Sequence, residues 1–321
     1  RPRITGLLQA VRANGAAVDD GVLRRRYDVE RQRTLVYDLM RRFGYDFTRG
    51  RHDAAPHPFC TSFSMDDVRI TSRILADDLA YFLFSALHET GHALYEQGVS
   101  PALGRTPLGH GASLGVHESQ SRLWENVIGR SRPFWTYFYP QVQAAFPDAL
   151  GAVNLDTFFR IVNRVQPSLI RIGADEVTYN LHIMLRFELE TGLLDGSLRV
   201  ADLPALWNER MDAYLGITPP NDADGVLQDV HWSQALIGYF PTYTLGNLMA
   251  AEFFDAAQRQ FPALWDDIGR GDFSNLLGWL RSNIHMHGRK FSANELLQRA
   301  TGGELDAGPF MRYLTNKFMK L

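Results

Sequence analysis

The sequence predicts a mainly α-helical chain that carries one small β-sheet. Apolar residues recur at helical spacing in residues 4–43, 79–98 and 203–215, most clearly at Leu79, Phe82, Leu83, Ala86, Leu87, Leu94 and Tyr95. Strand-like alternation is confined to one short stretch, where Val68, Ile70 and Ser72 alternate with Arg69 and Thr71. The composition, 45% hydrophobic and 21% charged over 321 residues, is that of an ordinary soluble globular chain. That length suits one large domain or two modest ones.

Charge and cysteine content narrow the function classes. A net charge of -3 gives no reason to expect nucleic acid or an anionic membrane as partner. Cys60 is the single cysteine, so an intrachain disulfide and a cysteine-type metal site are both excluded, and a reducing, cytoplasmic setting is expected. No apolar run is long enough to span a membrane, and no signal-peptide pattern opens the chain. The first residues are Arg1-Pro2-Arg3 rather than Met, as in a processed or truncated form.

In chain order, residues 4–43 read as helical, with Leu23, Tyr27, Val36, Tyr37, Leu39 and Met40 at roughly helical spacing. Arg24, Arg25, Arg26, Arg31 and Arg33 lie between them. Because Asp28, Glu30 and Asp38 are interleaved, a solvated face is expected rather than a nucleic-acid surface. His57 reads as a turn residue before Pro58, and Asp67 with Arg69 as a surface ion pair. The strand between 67 and 72 is expected in a small sheet beside the helix that follows.

That helix, 79–98, has Asp77 or Asp78 to cap its start and Gly98 to close its end. It contains His88-Glu89-Thr90-Gly91-His92, an H-E-x-x-H motif. Histidines four apart share one helix face, and two neutral imidazoles there can hold a divalent metal, usually zinc. Glu89 is rotated by about 100° from His88, away from the natural place for a ligand but close enough to take a proton from a water at the metal. Residues 98–113 form a glycine- and proline-rich loop, and His117-Glu118-Ser119-Gln120 opens a second helix ended by Gly129. Glu118 lies 26 residues after His92, so a loop and an antiparallel helix can return its carboxylate to the metal; this interval favours it over Glu96 or Glu125. A metzincin would need His at position 98, which is Gly98. A thermolysin-like third Glu would be followed, three residues intervening, by Asp, where Arg122 stands.

Residues 156–191 read as a long helical stretch around Ile170-Arg171-Ile172-Gly173-Ala174-Asp175. Arg171 among apolar neighbours wants a carboxylate, either Asp175 at i+4 or the terminal carboxylate of a peptide. Leu203 to Leu215 reads as a further helix, and Pro219-Pro220-Asn221 as a turn. The segment from Gly225 to Tyr243 gathers Gln228, Asp229, His231, Tyr239 and Tyr243, all polar groups useful to a hydrolase. His285 and His287 have the wrong spacing for one helix face and read as structural.

Jointly these segments resemble the carboxypeptidase Taq family of metallocarboxypeptidases. Its motifs HPF (57–59), D-x-R-x-T (67–71), H-E-x-x-H (88–92), H-E-S/G-Q (117–120), I-R-x-x-A-D (170–175) and G-x-x-Q-D-x-H-W (225–232) all stand here in order. The resemblance implies a helical peptidase with a deep active-site groove and a small sheet at its centre, with 1–321 forming one catalytic domain. It implies removal of C-terminal residues one at a time, with broad specificity, from peptides with a free C-terminus. It also implies His88, His92 and Glu118 as ligands of Zn2+, for which Co2+ substitutes, and Glu89 as general base. Arg171 resembles the family's binder of the substrate carboxylate, and His231 and Tyr243 the groups that polarise the scissile carbonyl, with Tyr239 close by in the substrate site. Homodimers are usual for the family, and a long additional N-terminal helical region of its members has no match here. The competing classes are an oligoendopeptidase or peptidyl dipeptidase of related architecture and an inactive metal- or peptide-binding module. An intact Glu89 argues against the inactive module, since zinc binding does not require it.

Overall fold

The computed structural model describes residues 1–14 and 18–321. The first half holds α1 (Pro2–Asn14), α2 (Val29–Phe43), β1 (Gly50–Ala54), β2 (Phe59–Ser64), β3 (Asp67–Ser72), α3 (Leu79–Gly98), α4 (Leu114–Arg122), α5 (Arg132–Ala145), α6 (Pro147–Leu150) and α7 (Leu155–Val162). The second half is helical: α8 (Tyr179–Leu194), α9 (Leu203–Leu215), α10 (Pro241–Gln260), α11 (Leu264–Gly269), α12 (Ser274–Asn283), α13 (Ala293–Thr301) and α14 (Gly308–Phe318). Backbone contacts divide the chain into two compact units. One comprises Val18–Val162 and Gly246–Phe310, the other Arg1–Ala17, Asn163–Leu245 and Met311–Leu321.

The first of these units is built on α3. Asp78 accepts the Tyr81 amide and starts the helix, as its acidic cap predicts. The apolar stripe from Leu79 to Tyr95 is buried throughout. α3 is enclosed on nearly every side, and its buried polar groups are paired as such a position demands: Thr90 donates to the Ala86 carbonyl, and Gln97 ties the helix to Asp46 and Arg49. Gly98 does end the helix, but its own reason is packing, because a Cβ there would lie 2.6–2.9 Å from the His285 ring. The sheet has the order β1-β3-β2, with β1 parallel and β2 antiparallel to β3. Val68 and Ile70 are fully buried, and β2 and β3 pack on α3, where the sequence expects the sheet. Asp67 and Arg69 form the exposed ion pair, at 2.7 Å.

Two helical expectations need correction. Residues 4–43 are only partly helical: among the described residues a 3-10 turn at Gly21–Arg24 lies between α1 and α2, and Asp28 starts α2 by accepting the Arg31 amide. The arginines there are largely paired, Arg33 with Glu30, Arg41 with Asp38 and Arg24 with Asp78, which suits a solvated face. The stretch 156–191 is likewise broken. α7 stops at Val162, Pro167 cannot continue a helix, and Arg171–Gly173 is only a 3-10 turn. α8 begins at Tyr179, where Asp175 accepts the amides of Val177 and Thr178.

In the second unit, α9 matches its expected span, and Gly216 (φ 69°) closes it in the left-handed conformation. Tyr179 and Ile183 of α8 pack on Phe240, with Trp232 and Tyr243 against them. No helix among the described residues is long and apolar enough to cross a membrane.

Candidate active site

His88 and His92 project from one face of α3, and α4 brings Glu118 to them. Ser113 accepts the Val116 amide and starts α4 at Leu114, three residues before the expected start at His117. Gly91 lets the two helices touch, since a Cβ there would meet the Gln120 carbonyl oxygen at 2.5 Å. Glu118 Oε2 lies 3.5 Å from His88 Nε2 and 3.6 Å from His92 Nε2, and the three donor atoms fall within 4.8 Å of one another. Donors on a tetrahedral zinc, at about 2.0–2.1 Å from the metal, stand about 3.3 Å apart. Two imidazoles and a carboxylate at this spacing fit a divalent cation with a position left for water. Among the described residues this is the one such group.

The groups behind the three donors fix their geometry. His88 Nδ1 lies 2.8 Å from Glu125 Oε2, so its Nδ1–H is taken and Nε2 is the nitrogen that faces Glu118. Arg122 Nε donates to Glu118 Oε1 at 2.7 Å, leaving Oε2 toward the histidines, and Ser121 donates to Oε2 at 3.1 Å. Glu125 is engaged by Arg122 and Arg130 at 3.3 and 3.7 Å. Although burial opposes it, these arginines and His88 bring Glu125 down to about 2. From sequence Glu125 is only a rival ligand, and Arg122 has no expected role. The signal was their i+7 and i+4 spacing from Glu118, which puts all three on one helix face. The helix continues past Arg122 as a π turn, Leu123–Ile128, which carries Glu125.

Glu89 is buried beside this group. Burial, with Glu118 and Glu125 acting against the pull of His88, pushes its carboxyl up to about 7. Burial disfavours a charged His88, but the Glu118 and Glu125 carboxylates prevail and raise it to about 9, whereas burial and the neighbouring imidazoles hold His92 well below its usual value. A cluster that draws a proton onto one partly buried imidazole is one that favours added positive charge.

The second unit carries the remaining expected residues. Arg171 does not pair with Asp175; its Nη2 donates to Asp229 at 2.7 Å, and its Nη1 to the Tyr179 hydroxyl at 2.9 Å. Asp175 is occupied instead with Gln166, Val177 and Thr178, because the segment is a loop rather than a helix. Arg186, fully buried, shares Asp229 from the other side at 2.6 Å and donates to Gln228 at 2.8 Å. Burial brings Arg186 down to about 10, still charged at neutral pH. Two guanidinium groups thus meet one carboxylate, and the group keeps a net positive charge. The Arg171 guanidinium also lies 4.7 Å from the centre of the Tyr243 ring.

His231 Nε2 shares a hydrogen bond with the Tyr243 hydroxyl at 3.0 Å, while the Tyr239 ring packs at 5.1 Å from the imidazole. Burial lowers His231. The turn that holds it is anchored by Glu190 of α8, which accepts from Trp232 Nε1 at 2.7 Å and from the Gly238 amide at 2.8 Å. Sequence reasoning missed Glu190 and Arg186, which face the loop from α8 at helical spacing. His285 is structural, as expected, and bonds Gln120 at 2.8 Å.

Comparison with known proteins matches residues 1–318 to the model of the carboxypeptidase Taq (M32) metallopeptidases. The chain is 47% identical to Thermostable carboxypeptidase 1 of Thermus thermophilus and 41% identical to Carboxypeptidase 1 of Bacillus subtilis, each over 318 residues. These alignments cover 99% of this chain but 62% and 64% of those proteins. The crystal structure of the M32 carboxypeptidase from Deinococcus radiodurans superposes with a TM-score of 0.97 at 48% identity, covering 99% of this chain and 64% of that one. With a mainly helical fold that carries one small sheet and a His-His-Glu cluster on α3 and α4, the chain belongs to the carboxypeptidase Taq (M32) family of metallopeptidases.

Proposed function

We propose that the protein is a metal-dependent carboxypeptidase that removes C-terminal residues one at a time, with broad specificity, from peptides with a free C-terminus. The observation that carries the proposal is the cluster of His88, His92 and Glu118 with buried Glu89 beside it, in a member of a metallopeptidase family. His88, His92 and Glu118 would hold the metal, Zn2+ with Co2+ as a substitute. When bound, such an ion supplies Lewis acidity, which brings deprotonation of water toward neutral pH. Glu89, raised toward neutrality by burial, takes the proton of the attacking water and passes it to the leaving amine. Arg171 binds the substrate's terminal carboxylate, supported by the net positive charge it forms with Arg186 and Asp229. His231 and Tyr243 hydrogen-bond the carbonyl oxygen as charge develops on it, with Tyr239 lining the same substrate site. The protein acts as a cytoplasmic homodimer, with neither nucleic acid nor membrane as partner.

The test uses one peptide in two forms, with a free and with an amidated C-terminus, incubated with and without chelator, and products read by mass. Stepwise loss of single residues from the free form is expected, together with full inhibition by chelator. A charge-assisted contact is worth about 1.5–3 kcal/mol. The amide should therefore react about 10- to 150-fold more slowly, at about 1.4 kcal/mol per decade. Equal cleavage of both forms at internal bonds would replace this reading with that of an oligoendopeptidase.

A further inference from the structure

We propose that His117, backed by Glu96, is the positioning residue for the His92 imidazole. His117 stands next to Glu118 in sequence, yet its side chain serves the other helix: its Nδ1 lies 2.9 Å from His92 Nδ1. Its Nε2 lies 2.7 Å from Glu96 Oε1. One arrangement of donors and acceptors satisfies both contacts of His117. His92 must present the Nε2 lone pair toward the Glu118 side, so its proton is on Nδ1. His117 accepts that proton's hydrogen bond at Nδ1, so its own proton is on Nε2, where the Glu96 carboxylate accepts it.

The carboxylate end of this chain is fixed as well. Glu96 is buried and accepts from the Gly111 amide at 3.0 Å, and His110 Nδ1 lies 3.3 Å from its other oxygen. The His117 ring is wedged between those of His92 and Tyr95, each with its centroid 5.0 Å away. The arrangement is the counterpart of the direct contact between His88 and Glu125 on the other side of the cluster. Where His88 meets a carboxylate directly, His92 reaches one through a second imidazole. Without His117, the His92 Nδ1–H would lose this acceptor, and the ring could move its proton to Nε2, where it blocks ligation.

This inference rests on the metal-centre reading above, and the test separates the two. Metal-free wild type, His117→Ala, His117→Asn and Glu96→Gln are titrated with Zn2+ and with Co2+ against a competing chelator. Thermal unfolding of each metal-free form is followed in parallel, and the His92 tautomer in metal-free wild type is read by long-range proton–nitrogen NMR. His117→Ala should bind metal about 10- to 100-fold more weakly. His117→Asn, whose Oδ1 falls near the position of the lost Nδ1, should recover most of that loss. Wild-type His92 should carry its proton on Nδ1. An affinity of folded His117→Ala within about twofold of wild type, or a wild-type His92 protonated at Nε2, overturns the proposal. If His117→Ala does not fold, the wild-type tautomer decides alone. Wild type that takes up neither metal refutes the metal centre itself, and this inference with it.

Discussion

A Cβ on Gly91 would lie 2.5 Å from the Gln120 carbonyl oxygen and 2.6 Å from Ser121 Cα. The glycine inside the H-E-x-x-H motif is therefore where α3 and α4 meet backbone to backbone, which sets the distance from the two histidines to Glu118. Gly246 of α10 has the same role against Glu118 itself, where a Cβ would stand 2.5 Å from its Cγ and 2.7 Å from its Cβ.

Alanine at either position should separate packed backbones and move the carboxylate. Gly91→Ala should cost about 1–3 kcal/mol of stability, the usual penalty of overpacking. Gly246→Ala should weaken Zn2+ binding at least tenfold, at about 1.4 kcal/mol per decade, because the displaced group is the proposed ligand. Gly278, in the exposed part of α12 with nothing within 4 Å of its would-be Cβ, is the control. Gly278→Ala should be neutral or stabilise by up to about 1 kcal/mol. Chelator competition and urea unfolding measure both effects, and unchanged metal affinity in Gly246→Ala would show that Glu118 is not held by this contact.

Glu89→Gln should keep its metal and lose hydrolysis. Glu89 is absent from the group of three mutually close donors, and its removal takes away a proton carrier but no ligand. Metal content after dialysis and peptide turnover are the paired measurements. Loss of metal together with activity would make Glu89 a ligand.

What was legible in the sequence was local. An acidic cap at Asp77 or Asp78, the apolar stripe of α3 and the four-residue spacing of its histidines gave the helix and its face. Alternation at 68–72 gave the strand. The 26-residue interval gave Glu118. What was not legible involved pairs far apart in the chain. Of the two partners expected for Arg171, Asp175 rests on i+4 neighbours touching on a helix, but Pro167 and the 3-10 turn remove that helix, and Asp229 takes the guanidinium within the chain. Periodicity carries no information about such partners. Nor does it show that His117, adjacent to a proposed ligand, turns toward His92, or that Gly98 answers to His285 rather than to a helix terminus.

The Arg171–Asp229–Arg186 group should be worth more to the fold than Asp175. Asp229→Ala leaves two buried guanidinium groups facing each other and should cost about 3–5 kcal/mol. Asp175→Asn keeps an acceptor for the amides that start α8 and should cost about 1 kcal/mol. Urea midpoints rank the two, and an Asp229→Ala cost below that of Asp175→Asn would mean the ion group is not structural.

The fold should weaken in mild acid through histidines that it buries neutral. His285 is fully buried, and burial, with Arg281 and His117 nearby, lowers it from the ordinary 6.5 to about 3. His182 is buried in the other unit, and burial with Arg186 and Arg171 lowers it likewise to about 3. Above pH 6.5 neither the folded nor the unfolded chain carries these protons, and stability is at its full value. Below it the unfolded chain takes them up while the folded chain refuses them, so stability falls until the pH reaches about 3. Each histidine accounts for about 1.4 kcal/mol per pH unit within that window, or about 2 kcal/mol between about pH 7 and about pH 5. His285→Gln and His182→Gln should each be destabilised at neutral pH yet lose about 2 kcal/mol less than the wild type over the same interval. Urea unfolding of the metal-free proteins at the two pH values reads the difference directly. A variant whose stability falls with pH as steeply as the wild type's would show that the histidine it lacks is protonated in the folded state, and would remove that residue from the account.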